Sequence, residues 1–145
     1  MREIKFRAWD FEQKKMIYNV EQTYDDNCRG KGGCYGDCCF GEVLENVALE
    51  VMQYTGFKDD EGRDIYEGDI LHVRERCHGF TVLRSEADNW SEYKGRILFK
   101  DGCFFCLSKF DMDLLGDLMH WNDVDEADIR IIGNRYENPE LMEGI

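Results

Sequence analysis

The chain has 145 residues, 43% of them hydrophobic and 13% aromatic, with one proline. That is enough apolar surface for one folded core and too little length for two large ones, which argues against disorder and for a single domain. Its 31 acidic residues against 18 Lys and Arg leave a formal charge of -13, which opposes general nucleic-acid binding because counterion release needs an excess of cations.

From Glu3 to Trp9 the residues alternate, with Ile4, Phe6 and Ala8 on one face and Glu3, Lys5, Arg7 and Trp9 on the other. This is the period-two pattern of a half-buried strand. Asp10 to Lys15 reads as a polar turn and Met16 to Val20 as the returning strand, so the chain is expected to open with a hairpin. The first twenty residues are locally basic, since Arg2, Lys5, Arg7, Lys14 and Lys15 outnumber Glu3, Asp10 and Glu12. No basic segment followed by an apolar one opens the chain, and no apolar run reaches the length of a spanning helix. The expected setting is the cytoplasm of a bacterial cell, with no membrane partner.

Residues 21–41, EQTYDDNCRGKGGCYGDCCFG, are dense in Gly, Asp and Cys and lack periodicity, so a long flexible loop is expected there. Residues 42–54 fit both templates: Leu44, Val47, Ala48, Val51 and Met52 suit a helix, while Val47, Leu49 and Val51 alternate as in a strand. Phe57 to Asp64 is a charged turn around Gly62, and Ile65 to Val73 resumes as a strand. Within it, Gly68-Asp69 before Ile70 and Leu71 resembles the sharp corner at which strands of SH3-like barrels begin. Thr81 to Leu83 and Gly95 to Leu107 add strands, the latter folding back at Lys100-Asp101-Gly102. A short helix around Leu114 to His120, a strand over Ile129 to Ile132, and a last helical turn from Pro139, capped by Asn138, complete the reading. Short strands, turns and little helix predict a mainly β fold, at the border of α+β: a small SH3-like β-barrel core with an N-terminal hairpin and one or two short helices.

Chemistry-bearing residues are plentiful but poorly arranged. Cys28, Cys34, Cys38 and Cys39 are enough thiols for zinc, yet their spacing lacks paired knuckles, and seven cysteines is an odd number for a disulfide framework. Cys103 and Cys106 form C-x-x-C inside a strand-like run, where residues three apart face opposite ways. Asp59, Asp60, Glu61, Asp64, Glu67 and Asp69 gather carboxylates, but the calcium-loop template fails because Gly62 comes too early and Ile70 stands where the closing Glu belongs. These read as solvated turn charges. His72, His78 and His120 lie in no nucleophile-base motif, and the loop glycines match no phosphate-binding fingerprint. No catalytic residue, metal or cofactor is expected.

Three segments, MREIKFRAWD, VMQYTGFKDDEGRDIYEGDIL and IIGNRYENPEL, with GRILFKDG as a weaker match, resemble the YopX-like family of small phage and prophage proteins. The resemblance implies a single YopX-like domain over 1–145 and an uncharacterised accessory role, and it brings no functional residues. The turn between Tyr54 and Tyr66 carries much of it, which makes Tyr54, Phe57, Tyr66 and Asp69 a candidate interaction surface. The leading expectation is a non-enzymatic module that binds a host or phage protein. The alternative is a nucleic-acid-binding small β-barrel protein using the basic hairpin and exposed aromatics. Strand edges also leave room for a homo-oligomer.

Overall fold

The computed structural model describes residues 3–22, 40–76, 90–123 and 127–145. Among them, nine strands form two antiparallel sheets, one a curled half-barrel, accompanied by two short α-helices. The expected loop over 21–41 lies largely outside the described residues, as do Cys28, Cys34, Cys38 and Cys39, Cys77 and His78, and the strand expected at Thr81 to Leu83. The chain forms two compact units, Met1–Gly56 and Phe57–Ile145.

In the first unit, β1 (Phe6–Asp10) pairs with β2 (Lys15–Tyr18) in the hairpin read from the sequence, Ala8 facing Ile17 and Asp10 facing Lys15. Asp10 shapes the turn, its Oδ1 accepting the N–H groups of Glu12 and Gln13 at 2.8 Å each, the local chemistry that favours Asp in turns. On its other side β1 pairs antiparallel with β3 (Leu49–Lys58), from Phe6 opposite Gln53 to Asp10 opposite Leu49. Arg7 and Trp9 are buried along with Ala8, so residues of both faces of this strand are shielded from water. Alternation alone reads it as half-buried because it does not reveal a second covered face.

The ambiguous segment 42–54 resolves into α1 (Phe40–Glu45), a turn, and β3. Asn46 breaks the helix, its Oδ1 accepting the Ala48 N–H at 2.9 Å. Val47 then stands 97% exposed, which removes it from both templates. A 3-10 turn, Val20–Gln22, places Val20 beside Ala8 and Val43 in a small core bordered by Phe6, Ile17, Phe40, Leu49 and Val51. Glu21 accepts the Phe6 N–H at 2.8 Å and so fixes the start of β1.

In the second unit, β8 (Met112–Leu114), β7 (Cys103–Leu107), β6 (Trp90–Lys100), β5 (Asp69–Arg76) and β9 (Ala127–Asn134) form a five-stranded antiparallel sheet in that order. The run read as one strand from Ile65 to Val73 is divided: β4 (Asp64–Tyr66) ends at Tyr66, and β5 starts after Gly68, whose φ is 81°. β6 and β7 meet at Asp101 and Gly102, with φ of 51° and 83°. Positive φ at both central positions matches the twist of the flanking strands.

α2 (Leu115–Asp123) lays Leu115, Leu118 and Met119, spaced to share one helix face, against Ile65, Leu71, Val73, Ile97, Cys106 and Ile129. Each such fully buried aliphatic side chain contributes about 1.5–3 kcal/mol. The last helical turn is a 3-10 turn, Pro139–Met142, with Pro at its start as expected, but Asn138 makes no side-chain cap. Its Oδ1 instead accepts the Asn134 N–H at 3.3 Å, joining the turn to the end of β9.

Candidate functional site

The four residues expected to form an interaction surface are mostly interior. Tyr54 and Tyr66 are each 4% exposed and Asp69 1%, while Phe57 is half-buried against the core of the second unit. Asp69 is a turn residue: its Oδ2 accepts the Tyr66 N–H at 2.8 Å across the bend between β4 and β5. Tyr54, Tyr66 and Asp69 therefore expose little of their side chains to solvent.

The acidic turn after β3 is structural where solvated charge was expected. Asp59 is 5% exposed. Its Oδ1 accepts the N–H groups of Glu61 and Arg63 at 3.0 and 2.9 Å, and its Oδ2 accepts Arg63 Nε at 2.9 Å and the Ile131 N–H at 3.0 Å. Asp60 pairs twice with Ile129, its N–H donating to the carbonyl at 3.0 Å and its carboxylate accepting the N–H at 2.8 Å. Arg63 Nη2 reaches the Ile131 carbonyl at 2.9 Å. β9 is the last strand of its sheet, and this turn takes up the hydrogen-bonding groups of its outer edge, a common protection against edge-to-edge pairing. Burial raises the Asp59 carboxyl, but the hydrogen bonds from Ile131 and Arg63 outweigh it and hold the group below its ordinary value. Composition showed acidity here. The missing signal was Arg63, four residues after Asp59 and able to close the turn on it.

A surface of a different character lies on the side of the five-stranded sheet facing away from its core. Leu71 and Val73 of β5 point into the core, so alternation puts His72, Arg74 and Arg76 on the opposite side. His72 is flanked in register by Lys94 and Arg130, Arg74 by Glu92 and Asp128, and Arg76 by Trp90. Glu92 lies 3.5 Å from both His72 Nε2 and Arg74 Nε, and Asp128 lies 3.8 Å from Arg74 Nη1. The Arg74 guanidinium sits 4.7 Å from the centre of the Trp90 ring.

This face has two borders. On one, Lys94 Nζ donates to the carbonyls of Leu141 and Glu143 at 3.1 and 3.0 Å. On the other, the turn between β7 and β8 presents Lys109 and Phe110, with Phe110 70% exposed. Two depressions of about 260 and 230 Å³ open here and share His72 and Glu92. Lys94, Lys109 and Phe110 line the first, and Arg74, Asp128 and Arg130 the second. The alternation His72, Arg74, Arg76 with Asp128, Arg130 was the sequence signal for this face. It lies mostly outside the segments that carry the family resemblance.

The core side of the same sheet ends in an acidic cleft of about 300 Å³ lined by Glu75, Tyr93, Ser108, Phe110, Asp111 and Asp113. Burial pushes the Glu75 carboxyl up, against a hydrogen bond at 3.3 Å from the Tyr93 hydroxyl. Burial also raises Asp113, with Asp111 adding repulsion, and pushes the Cys106 thiol up to about 12. Cys103 is exposed and Cys106 buried, on opposite faces of β7 as the spacing predicted. Among the described residues no three His, Cys, Asp or Glu side chains are grouped so as to hold a metal ion.

Among the described residues, the cations of the N-terminal hairpin differ in their surroundings. Arg7 is buried with Nη2 3.9 Å from Met52 Sδ, and Lys5 pairs with Glu3 at 3.1 Å beside the Tyr54 ring, while Lys14 and Lys15 are exposed at the turn. Among the described residues no helix is long and apolar enough to cross a membrane.

No curated protein matched the chain. Among solved structures it is similar to the crystal structure of protein EF1440 from Enterococcus faecalis, with a TM-score of 0.61 and 29% identity, over 99% of this chain and 100% of that one. The family model described as YopX protein matches residues 5–143. That match covers nearly the whole chain, and the chain belongs to the YopX family.

Proposed function

We propose that this chain is a non-enzymatic protein-interaction module, an accessory protein of phage or prophage, which docks a host or phage protein on the outer face of its five-stranded sheet. The observation that carries this reading is the pair of cross-strand rows, Lys94–His72–Arg130 and Glu92–Arg74–Asp128. Their side chains stand on adjacent strands of one antiparallel sheet and are flanked by Trp90 and Phe110. Aromatic and arginine side chains are the residue types that most often dominate binding energy at interfaces. A bacterial cytoplasm suits seven cysteines, an odd number. The tight corner at Gly68 supports relating the half-barrel to SH3-like barrels. The family match across both units supports one working domain over 1–145.

The test is capture from host lysate with the full chain, with R74E/R130E, and with K14E/K15E as a control on the hairpin. The face reading expects a nuclease-resistant partner that is lost with R74E/R130E and kept with K14E/K15E. Retention by R74E/R130E would place docking elsewhere. A nuclease-sensitive capture would favour the nucleic-acid reading.

A further inference from the structure

We infer that the outer sheet face binds an extended acidic protein segment whose spaced carboxylates replace Glu92 and Asp128 as partners of its arginines. This rests on the interaction reading above and adds the chemistry of the partner. Among the described residues, five cations, Arg74, Arg76, Lys94, Lys109 and Arg130, stand on or beside this face against two carboxylates on its paired strands, Glu92 and Asp128, in a chain whose formal charge is -13. At physiological ionic strength charges are screened beyond about 8 Å, so an anion at the face responds to these groups far more than to the distant excess.

The ion pairs already present are replaceable. Arg74 meets Glu92 at 3.5 Å and Asp128 at 3.8 Å, with all three side chains 42–58% exposed. Pairs of that length and exposure contribute about 0–1 kcal/mol. Spacing selects an extended chain. Neighbouring strands lie about 4.8 Å apart and alternate residues of one strand about 6.6 Å apart, so the cations of this face recur at roughly the interval at which an extended peptide presents every second side chain. Phe110 at the border then offers an exposed ring to the segment's apolar residues. The two carboxylates also argue for protein over nucleic acid. A phosphate backbone carries charge at every nucleotide and meets Glu92 and Asp128, whereas a peptide can place neutral residues opposite them.

The experiment titrates the full chain with three labelled probes: a short peptide alternating Glu and Leu, the same peptide with Lys for Glu, and an oligothymidylate. Anisotropy gives affinity at low and high salt, and amide chemical shifts give location. The Glu peptide should bind best, shift the amides of His72, Arg74, Lys94 and Arg130, and weaken with salt. R74E/R130E should bind it about tenfold more weakly. E92Q/D128N should bind it a few-fold more tightly, a gain that misfolding cannot imitate. Stronger binding of the Lys peptide at the same amides would overturn the inference and leave the interaction reading standing. So would the absence of any probe from the face while R74E/R130E still loses its captured partner. Preference for oligothymidylate would overturn both in favour of nucleic acid.

Discussion

Asp59 accepts four hydrogen bonds, from Glu61, Arg63 and Ile131, while shielded almost fully from water. Hydrogen bonds to a charged acceptor are worth about 1.5–3 kcal/mol each before desolvation is subtracted. Asp59→Asn should therefore lower unfolding free energy by about 2 kcal/mol in urea titration, and Asp60→Asn, which alters a more exposed side chain, by less. The pH dependence has a definite sign. The folded pKa of Asp59 lies below the ordinary 3.8, so its contribution is complete above 3.8 and is lost as pH falls through the folded value. The gap between wild type and Asp59→Asn should then close in acid, and a gap constant from neutral to strongly acidic pH would rule out the carboxylate as its source. Gly95 makes a second point at this scale. A Cβ there would come 2.2 Å from Cys106 Sγ, so Gly95→Ala should destabilise by about 1–3 kcal/mol. Cys106→Ala should recover part of that loss in the double variant, since the two sites are in contact. Neither role was legible in the sequence, because both depend on what the chain brings against these residues from far away.

The elements that the sequence located are those set by local chemistry. The β6–β7 hairpin follows from Asp101-Gly102, two residues that tolerate positive φ, and the N-terminal hairpin from alternation with a polar turn. What escaped depends on neighbours: β8 is three residues long, the register of β5 with β9 shifts between Ile70 and Leu71, and α1 stops at Asn46 while the apolar pattern runs on. The carboxyls at the acidic end of the β5–β8 region give a testable consequence. Burial holds the Glu75 pKa above its ordinary 4.5, so the folded chain binds that proton more tightly than the unfolded one. Its stabilising contribution is complete below 4.5 and is lost as pH rises through the folded value. Glu75→Gln keeps an acceptor for the Tyr93 hydroxyl without the charge. Thermal melting should show the variant more stable than wild type at pH 7 and close to it at pH 4; a lower melting temperature at pH 7 would mean that the ionised group is needed by the fold.

At the level of the whole molecule, the expected single domain and the two compact units describe different properties, because compactness counts neighbours and a domain is defined by cooperative folding. β3 is the element that bears on the difference. Residues Leu49 to Gln53 pair with β1 in the first unit, Phe57 packs on the core of the second, and Gly56, with φ of 94°, is the last residue of the first. No linker intervenes, so melting β1 and β3 removes the segment that leads into the Asp59 turn and the protected edge of β9. Loss of either unit should therefore destabilise the other. Hydrogen exchange of the full chain in increasing denaturant tests this: the amides of Ala8 in β1 and Leu71 in β5 should open with the same free energy and the same denaturant dependence. Gly56→Ala sharpens it, since an alanine held at positive φ costs about 1–2 kcal/mol, and the variant should lower both opening energies equally. A drop confined to Ala8 would show two domains that fold apart, and the proposed docking face on the second unit would then be expected to survive without the first.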